Sequence, residues 1–266
     1  IHLKKRICFL FSSVGFFFSC ITPSASGGQP MQIYYMKKEK IPIPVSTVIL
    51  MIVTITYKFV LVAVGIGIAV FGRGFLHRYL EGILPVFYLG LALNIFCVTF
   101  MTVLVFHPLL ARTFLVKGLN ILEKMHLLRK KEGRLKKLED SMDVYHDTAE
   151  YLKEHPKVII NVIGITFVQR FALFIVTWFV YRAFSLSGTG FWTVVFLQAV
   201  ISVSVDMLPL PGGMGISETL FLTIFQPVFG SLLLPGMILS RGLGYYGELF
   251  ISAFFTVITQ LTIGQK

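Results

Sequence analysis

The sequence predicts an all-α fold, a polytopic transmembrane helical bundle with two Gly/Pro-broken hairpins in an inverted-repeat arrangement. Three observations carry that expectation. First, 55% of the 266 residues are hydrophobic and only 14% are charged, at a mean hydropathy of +0.79, whereas a soluble domain is about 45–50% apolar and about 25% charged. Second, residues 107–157 hold 11 Lys/Arg and 8 Asp/Glu, 19 of the 37 charged side chains. The rest of the chain is left with stretches long enough to cross a bilayer as helix, at about 20 residues each. Third, Gly/Pro clusters interrupt the shorter apolar runs. A soluble globular enzyme and a disordered chain are both excluded.

The elements follow in order. Ile7 to Ile21 is apolar over 15 residues, short for a span, and runs into Pro23-Ser24-Ala25-Ser26-Gly27-Gly28-Gln29-Pro30. Four runs qualify outright as spans: Val45–Phe71, Leu84–Phe106, Val158–Tyr181 and Met237–Thr262. Gly190–Val205 is short and is followed by Asp206-Met207-Leu208-Pro209-Leu210-Pro211-Gly212-Gly213-Met214-Gly215; Thr219–Phe229 is a second short run. The start, Ile1-His2-Leu3-Lys4-Lys5-Arg6, lacks a small-x-small cleavage site before the apolar run ends. It reads as an internal start, with an earlier membrane helix missing.

The whole chain reads as one membrane domain, with residues 107–157 as a cytoplasmic insertion. If the short segments pair as re-entrant hairpins, 18 Lys/Arg fall on the side of that insertion and three, Arg73, Arg78 and Arg182, on the other, as the positive-inside rule requires. One hairpin would then dip in from each side, the arrangement that marks a midplane site in inverted-repeat transporters; two ordinary kinked helices are the competing reading. Within the insertion Leu135, Leu138, Met142, Tyr145, Ala149 and Leu152 recur at steps of three and four, one face of an amphipathic helix. That face would lie on the membrane, on the protein itself or, less simply, on a partner.

The net charge of +11 sits beside apolar spans, so it points to topology and anionic headgroups, and no direct nucleic-acid binding is expected. Cys8, Cys20 and Cys97 lie in apolar runs without metal-ligand spacing, and the six histidines are scattered; no metal and no cofactor are expected. Gly242-Leu243-Gly244-Tyr245-Tyr246-Gly247 lacks the strand that a dinucleotide-binding turn needs and reads as small residues for close helix packing.

Ionisable groups inside a span are costly and usually face a polar cavity or one another. Six are present: Lys58, Arg170, Asp206, Glu218, Arg241 and Glu248. They are either a salt-bridge network that holds helices together or the lining of a site for a charged headgroup. Arg suits phosphate, and Asp206 or Glu218 suits an ammonium. A half-helix beginning near Ile216 would aim free N–H groups at the second break, with Ser217 as its N-cap and Glu218 in its first turn. The candidate substrate-binding residues are Lys58, Arg170, Asp206, Glu218 and Arg241, with Gly28, Gln29, Gly212 and Gly213 of the two breaks; no catalytic residue is identified.

The stretches Thr22-Pro-Ser-Ala-Ser-Gly-Gly-Gln-Pro-Met-Gln-Ile-Tyr-Tyr-Met36 and Leu208-Pro-Leu-Pro-Gly-Gly-Met-Gly-Ile-Ser-Glu218, with Tyr57-Lys58 and Arg241, resemble the membrane domain of the lysylphosphatidylglycerol synthase family, also called flippase-like. The resemblance implies a multi-pass protein of the bacterial inner membrane that binds and translocates a charged or aminoacylated phospholipid such as lysyl-phosphatidylglycerol. The alternative it implies is a phosphatidylglycerol lysyltransferase, or its membrane subunit, acting from lysyl-tRNA; either contributes to resistance against cationic antimicrobial peptides. Implied partners are the phospholipid headgroup and the membrane, with a separate soluble aminoacyltransferase or a homo-oligomer as further candidates. Tyr245-Tyr246-Gly247-Glu248 departs from the family's pattern and leaves Glu248 without an implied role.

Overall fold

Proline and glycine punctuate the chain. The computed structural model describes residues 3–107, 110–113, 116–117, 134–208 and 210–265, and among these there is helix and no strand. Helix α1 (Lys5–Ile21) stops before Pro23, whose ring keeps Thr22 extended at φ −113° and ψ 147°. A single 3₁₀ turn, Pro23–Ala25, leads to α2 (Gly28–Lys38). Three long helices open with a proline in their first turn, where no intrahelical N–H is lost: α3 (Ile43–Phe71), then after the short α4 (Arg73–Leu80) α5 (Leu84–Phe106), and further on α7 (Pro156–Ala183). Between α5 and α7 the polar insertion contributes α6 (Arg134–Glu154).

Helix α8 (Phe191–Val205) ends at the second break, where a 3₁₀ turn at Pro211–Gly213 precedes α9 (Ile216–Ile224). A short turn of helix, α10 (Gln226–Phe229), leads into α11 (Leu233–Arg241), a π-helical turn at Gly242–Tyr246, α12 (Gly247–Thr259) and a second π turn at Gln260–Gly264. Four segments are long and apolar enough to cross a membrane: Ile43–Phe71, Leu84–Phe106, Pro156–Ala183 and Gln226–Gly264. The first three match the spans expected from the sequence, and the fourth contains the expected Met237–Thr262 but begins earlier, at Gln226, within the short run Thr219–Phe229. Large apolar side chains such as Ile165, Phe179, Phe250 and Phe254 point outward from them, as hydrocarbon-facing residues do.

Helices α1 and α2 form an antiparallel hairpin, since Gly28 abuts Gly15 and Ser19 while Gln32 Nε2 donates to the Phe11 carbonyl at 3.1 Å. The hairpin packs on the C-terminal helix. Phe9 meets Phe255 edge to face at 4.8 Å, and Tyr35 donates to Gln260 Oε1 at 2.6 Å. The main core lies elsewhere, among α3, α5, α7, α8 and α9, around Leu61, Phe87, Leu197, Phe221 and Phe225. There α5 and α8 cross so closely that a Cβ on Gly90 would lie 2.6 Å from the Val203 carbonyl oxygen. The two 3₁₀ turns pack against each other, which brings the breaks together.

The insertion helix lies on the protein itself. Met142, Tyr145 and Ala149 are buried against Val48, Ile52 and Val105 at the ends of α3 and α5, and Tyr145 donates to the Leu104 carbonyl at 3.3 Å. Of the surfaces the sequence offered this face, these residues take the protein's own helices; the side chains of Leu135 and Leu138 lie outside the described residues. The Gly242–Gly247 motif also departs from expectation. Nothing lies within 4 Å of a Cβ built on Gly242, and Gly244 meets only Val176 at 4.0 Å, so these glycines mediate no close helix crossing. They lie in the wider π turn, a form concentrated at functional sites.

Candidate functional site

Two clusters of charge form where the breaks meet. In the first, Lys58 sits midway along α3 and Asp206 directly after α8. Lys58 Nζ lies 2.6 Å from Asp206 Oδ2, and the two side chains are 11% and 10% exposed. The Tyr57 hydroxyl donates to the other carboxylate oxygen, and Met207 Sδ accepts from Lys58 Nζ at 2.9 Å. Arg170 of α7 lies over the same ring, its guanidinium carbon 4.4 Å from the Tyr57 centroid. A cation over an aromatic face is held by the ring quadrupole, worth about 2 kcal/mol when desolvated. Arg170 Nε is buried and has no hydrogen-bond acceptor among the described residues.

The second cluster is built on the second break. Glycine is required at two positions there, Gly213 at φ +66° and Gly215 at φ +84°, because both lie in the left-handed region that side chains avoid. The chain thus turns back sharply enough to start α9 beside the break. Glu218, in the first turn of α9, accepts from the Gly215 N–H at 2.7 Å and from Ser217 Oγ at 3.0 Å. Its other oxygen accepts from Arg241 Nε at 2.9 Å. The N-cap is Gly215, not Ser217 as expected: Ser217 lies inside the helix, and the Glu218 carboxylate reaches back to cap it. Arg241 also lies over the Tyr245 ring at 4.6 Å, and Tyr245 donates to the Cys20 carbonyl at 3.1 Å, next to the first break.

The structure thus gathers Lys58, Asp206 and Arg170 around Tyr57, and Glu218 with Arg241. Gly213 is buried in the turn that links the two groups. Gly212 shares that 3₁₀ turn, whereas Pro209 lies outside the described residues. Gly28 and Gln29 have other duties. A Cβ on Gly28 would lie 2.0 Å from Ser19 Oγ, and Gln29 Nε2 donates to Thr54 Oγ1 at 2.7 Å, so both tie α2 to its neighbours. The first break is fastened by Thr22, which accepts from the Gly27 N–H at 2.8 Å and donates to the Phe18 carbonyl at 2.6 Å.

Sequence reasoning missed Tyr245, Thr22 and Met207 as members of this constellation. Tyr245 had a legible signal, an aromatic ring four residues after an intramembrane arginine, one turn along the helix. Two grooves lie apart from the clusters. One of about 210 Å³ is lined by Arg6, Leu10, Glu39 and Thr262, and one of about 390 Å³ by Arg78, Tyr79, Tyr181 and Thr189. Neither is lined by the six intramembrane charges.

Compared with known proteins, the chain matches the model of one family, described as the Lysylphosphatidylglycerol synthase TM region, over residues 1–252. No curated protein and no solved structure matches it.

Proposed function

The chain belongs to the lysylphosphatidylglycerol synthase TM region family, and from that membership and the charges at its two breaks we propose that it binds and translocates a charged phospholipid such as lysyl-phosphatidylglycerol. The observation that carries this reading is Arg170. It is a guanidinium deep in an apolar helix, held on an aromatic face with a buried N–H that has no acceptor among the described residues. An arginine so placed has donors to spare for phosphate oxygens, and the cost of keeping it in the span is most simply explained by a ligand. Arg241 offers a second phosphate donor once Glu218 is drawn toward an ammonium group.

On this reading the two ion pairs keep the empty site neutral. A headgroup displaces one partner of each, and the seam between the two packed breaks opens. Residues 107–157, on the strongly basic side, face the cytoplasm of a bacterial inner membrane.

A vesicle assay tests the reading. The full chain is reconstituted with lysyl-phosphatidylglycerol, and the inner-leaflet amine reaching the outer leaflet is timed with a membrane-impermeant amine reagent. The expected result is exposure well above protein-free vesicles, falling at least tenfold in Arg170→Gln and Arg241→Gln at equal protein content. Exposure at the protein-free rate overturns translocation, and unchanged rates in both variants overturn the site. Lysyl-lipid formed from lysyl-tRNA and phosphatidylglycerol by this chain would establish the transferase alternative in its place.

A further inference from the structure

The groove of about 390 Å³ lies at the end of the bundle away from the insertion. Topology fixes that placement. The insertion joins the end of α5 to the start of α7. The groove is lined by Arg78 and Tyr79, just before α5, and by Tyr181 and Thr189, at and beyond the end of α7. Both helices are long enough to cross the hydrocarbon, so groove and insertion stand on opposite sides of it.

The groove is walled by hydrogen-bond donors. Arg78 is exposed, its guanidinium carbon 5.6 Å from the Tyr79 centroid, and it makes no ion pair or hydrogen bond with a described residue. Tyr181 is only 1% exposed, and its oxygen accepts from the Thr189 N–H at 2.9 Å. The Tyr181 hydroxyl hydrogen has no acceptor among the described residues, an expense for a buried group. The Thr189 hydroxyl likewise has no partner among them. No carboxylate among the described residues lines the groove. The next arginine, Arg182, is engaged elsewhere: it donates to the Leu186 carbonyl at 3.2 Å and lies over Trp178 at 5.9 Å. Uncommitted N–H and O–H groups without a carboxylate are complementary to an anion with several acceptor oxygens.

The surroundings say which anion. Trp178 stacks on Tyr181 at 5.5 Å and meets Phe191 edge to face at 5.4 Å, and Trp192 is 58% exposed. Tryptophan and tyrosine gather where hydrocarbon meets headgroups, and Leu186 and Val228 give the groove apolar sides. We infer that this groove is a second lipid site, which holds the phosphodiester of a phospholipid in the leaflet away from the insertion. Arg78 pairs with the phosphate, and the Tyr181 and Thr189 hydroxyls donate to its oxygens. The site is separate from the intramembrane charges and stands whether or not the chain translocates lipid.

Trp178 is a built-in reporter, since the chain has two tryptophans and Trp192→Phe leaves it alone. In that background the full chain in dodecylmaltoside micelles is titrated with short-chain phosphatidylglycerol brominated on its acyl chains, and quenching of Trp178 is followed. Diacylglycerol with the same chains is the control for apolar partition. Phosphatidylglycerol should quench at roughly tenfold lower concentration than diacylglycerol, the usual worth of a charge-assisted contact. Arg78→Gln should erase that difference, Tyr181→Phe should reduce it several-fold, and Arg170→Gln should leave it unchanged. Equal quenching by the two lipids overturns the inference, as does a difference that survives in both Arg78→Gln and Tyr181→Phe. A difference lost in Arg170→Gln instead moves the lipid to the intramembrane charges and also overturns it. Inorganic phosphate should relieve quenching only far above the concentration at which unbrominated phosphatidylglycerol does. Relief at the same concentration would make this a site for soluble anions and overturn the lipid assignment.

Discussion

Tyr57 serves two charges at once: its hydroxyl donates to the Asp206 carboxylate while its ring carries the Arg170 guanidinium at 4.4 Å. Helices α3 and α7 and the start of the second break thus share one side chain. The two functions can be separated by substitution. Tyr57→Phe removes only the hydrogen bond to a buried carboxylate and is expected to cost about 1–2 kcal/mol of stability. Tyr57→Leu removes the ring as well and should cost a further ~1–2 kcal/mol. Thermal unfolding in detergent reads both, and equal melting temperatures for the two variants would show that the stacked guanidinium contributes nothing.

The Lys58–Asp206 pair predicts that a double substitution restores most of the stability that either single one removes. Removing one partner strands a charge among apolar side chains, at about 3–5 kcal/mol. Lys58→Met or Asp206→Leu alone should therefore unfold well below wild type. The double variant replaces both charges with apolar volume and should recover most of that loss, because neither desolvated charge remains. If the pair is structural only, lipid exposure returns with stability. If it belongs to the site, the double variant is stable and inactive, and the vesicle assay separates these outcomes.

How much of this was legible in the sequence depends on the range of the interaction. The four spans were readable because a run of apolar residues is a local property. The breaks at Pro23–Ala25 and Pro211–Gly213 were visible as Gly/Pro clusters, as was the amphipathic face of α6. What the sequence could not state is which cation meets which carboxylate. Lys58 and Asp206 are 148 positions apart, and with three charges of each sign every pairing was open. Cys20 and Tyr245, 225 positions apart, carry no periodic signal that joins them. The π turn at Gly242–Tyr246 was misread for a different reason. Glycine both permits close crossing and tolerates a widened turn, and only the neighbours, absent around Gly242, decide between the two.

Glycines sort into those that a methyl group would disrupt and those it would not. At Gly28 the added Cβ would sit 2.6 Å from the Gly15 carbonyl oxygen, and at Gly90 it would sit 2.7 Å from Ser204 Cα. Both clashes are with backbone, which cannot rotate away. Gly28→Ala should push α2 off α1, and Gly90→Ala should push α8 off α5, each costing about 1–3 kcal/mol as overpacked sites do. Gly67, in the same kind of helix, has nothing within 4 Å. Gly67→Ala should therefore hold or raise stability, since alanine is the better helix former by up to about 1 kcal/mol. Melting of the three variants under one condition checks the ordering, and a loss at Gly67 equal to that at Gly28 would contradict the assigned contacts.

The π turn makes the sharpest prediction about register. A π segment amounts to one residue more than an α-helix would use over the same rise, and this one lies between Arg241, paired with Glu218, and α12, which packs on α1. Deleting Gly244 should let the segment close into regular helix. Because the deleted residue is the extra one, Arg241 and α12 keep their present directions, while Tyr245, inside the turn, moves and loses its bond to the Cys20 carbonyl. Helix propensity alone would favour the deletion, so a stable protein that keeps the Arg241–Glu218 pair but shows reduced lipid exposure is the expected outcome. Gly244→Ala is the control, because its Cβ would meet only Val176 Cγ1 at 4.0 Å and leaves the residue count intact. Full activity in the deletion would mean that the place the widened turn gives Tyr245 does not matter to transport, and loss of activity in the alanine variant would point to packing rather than to the turn.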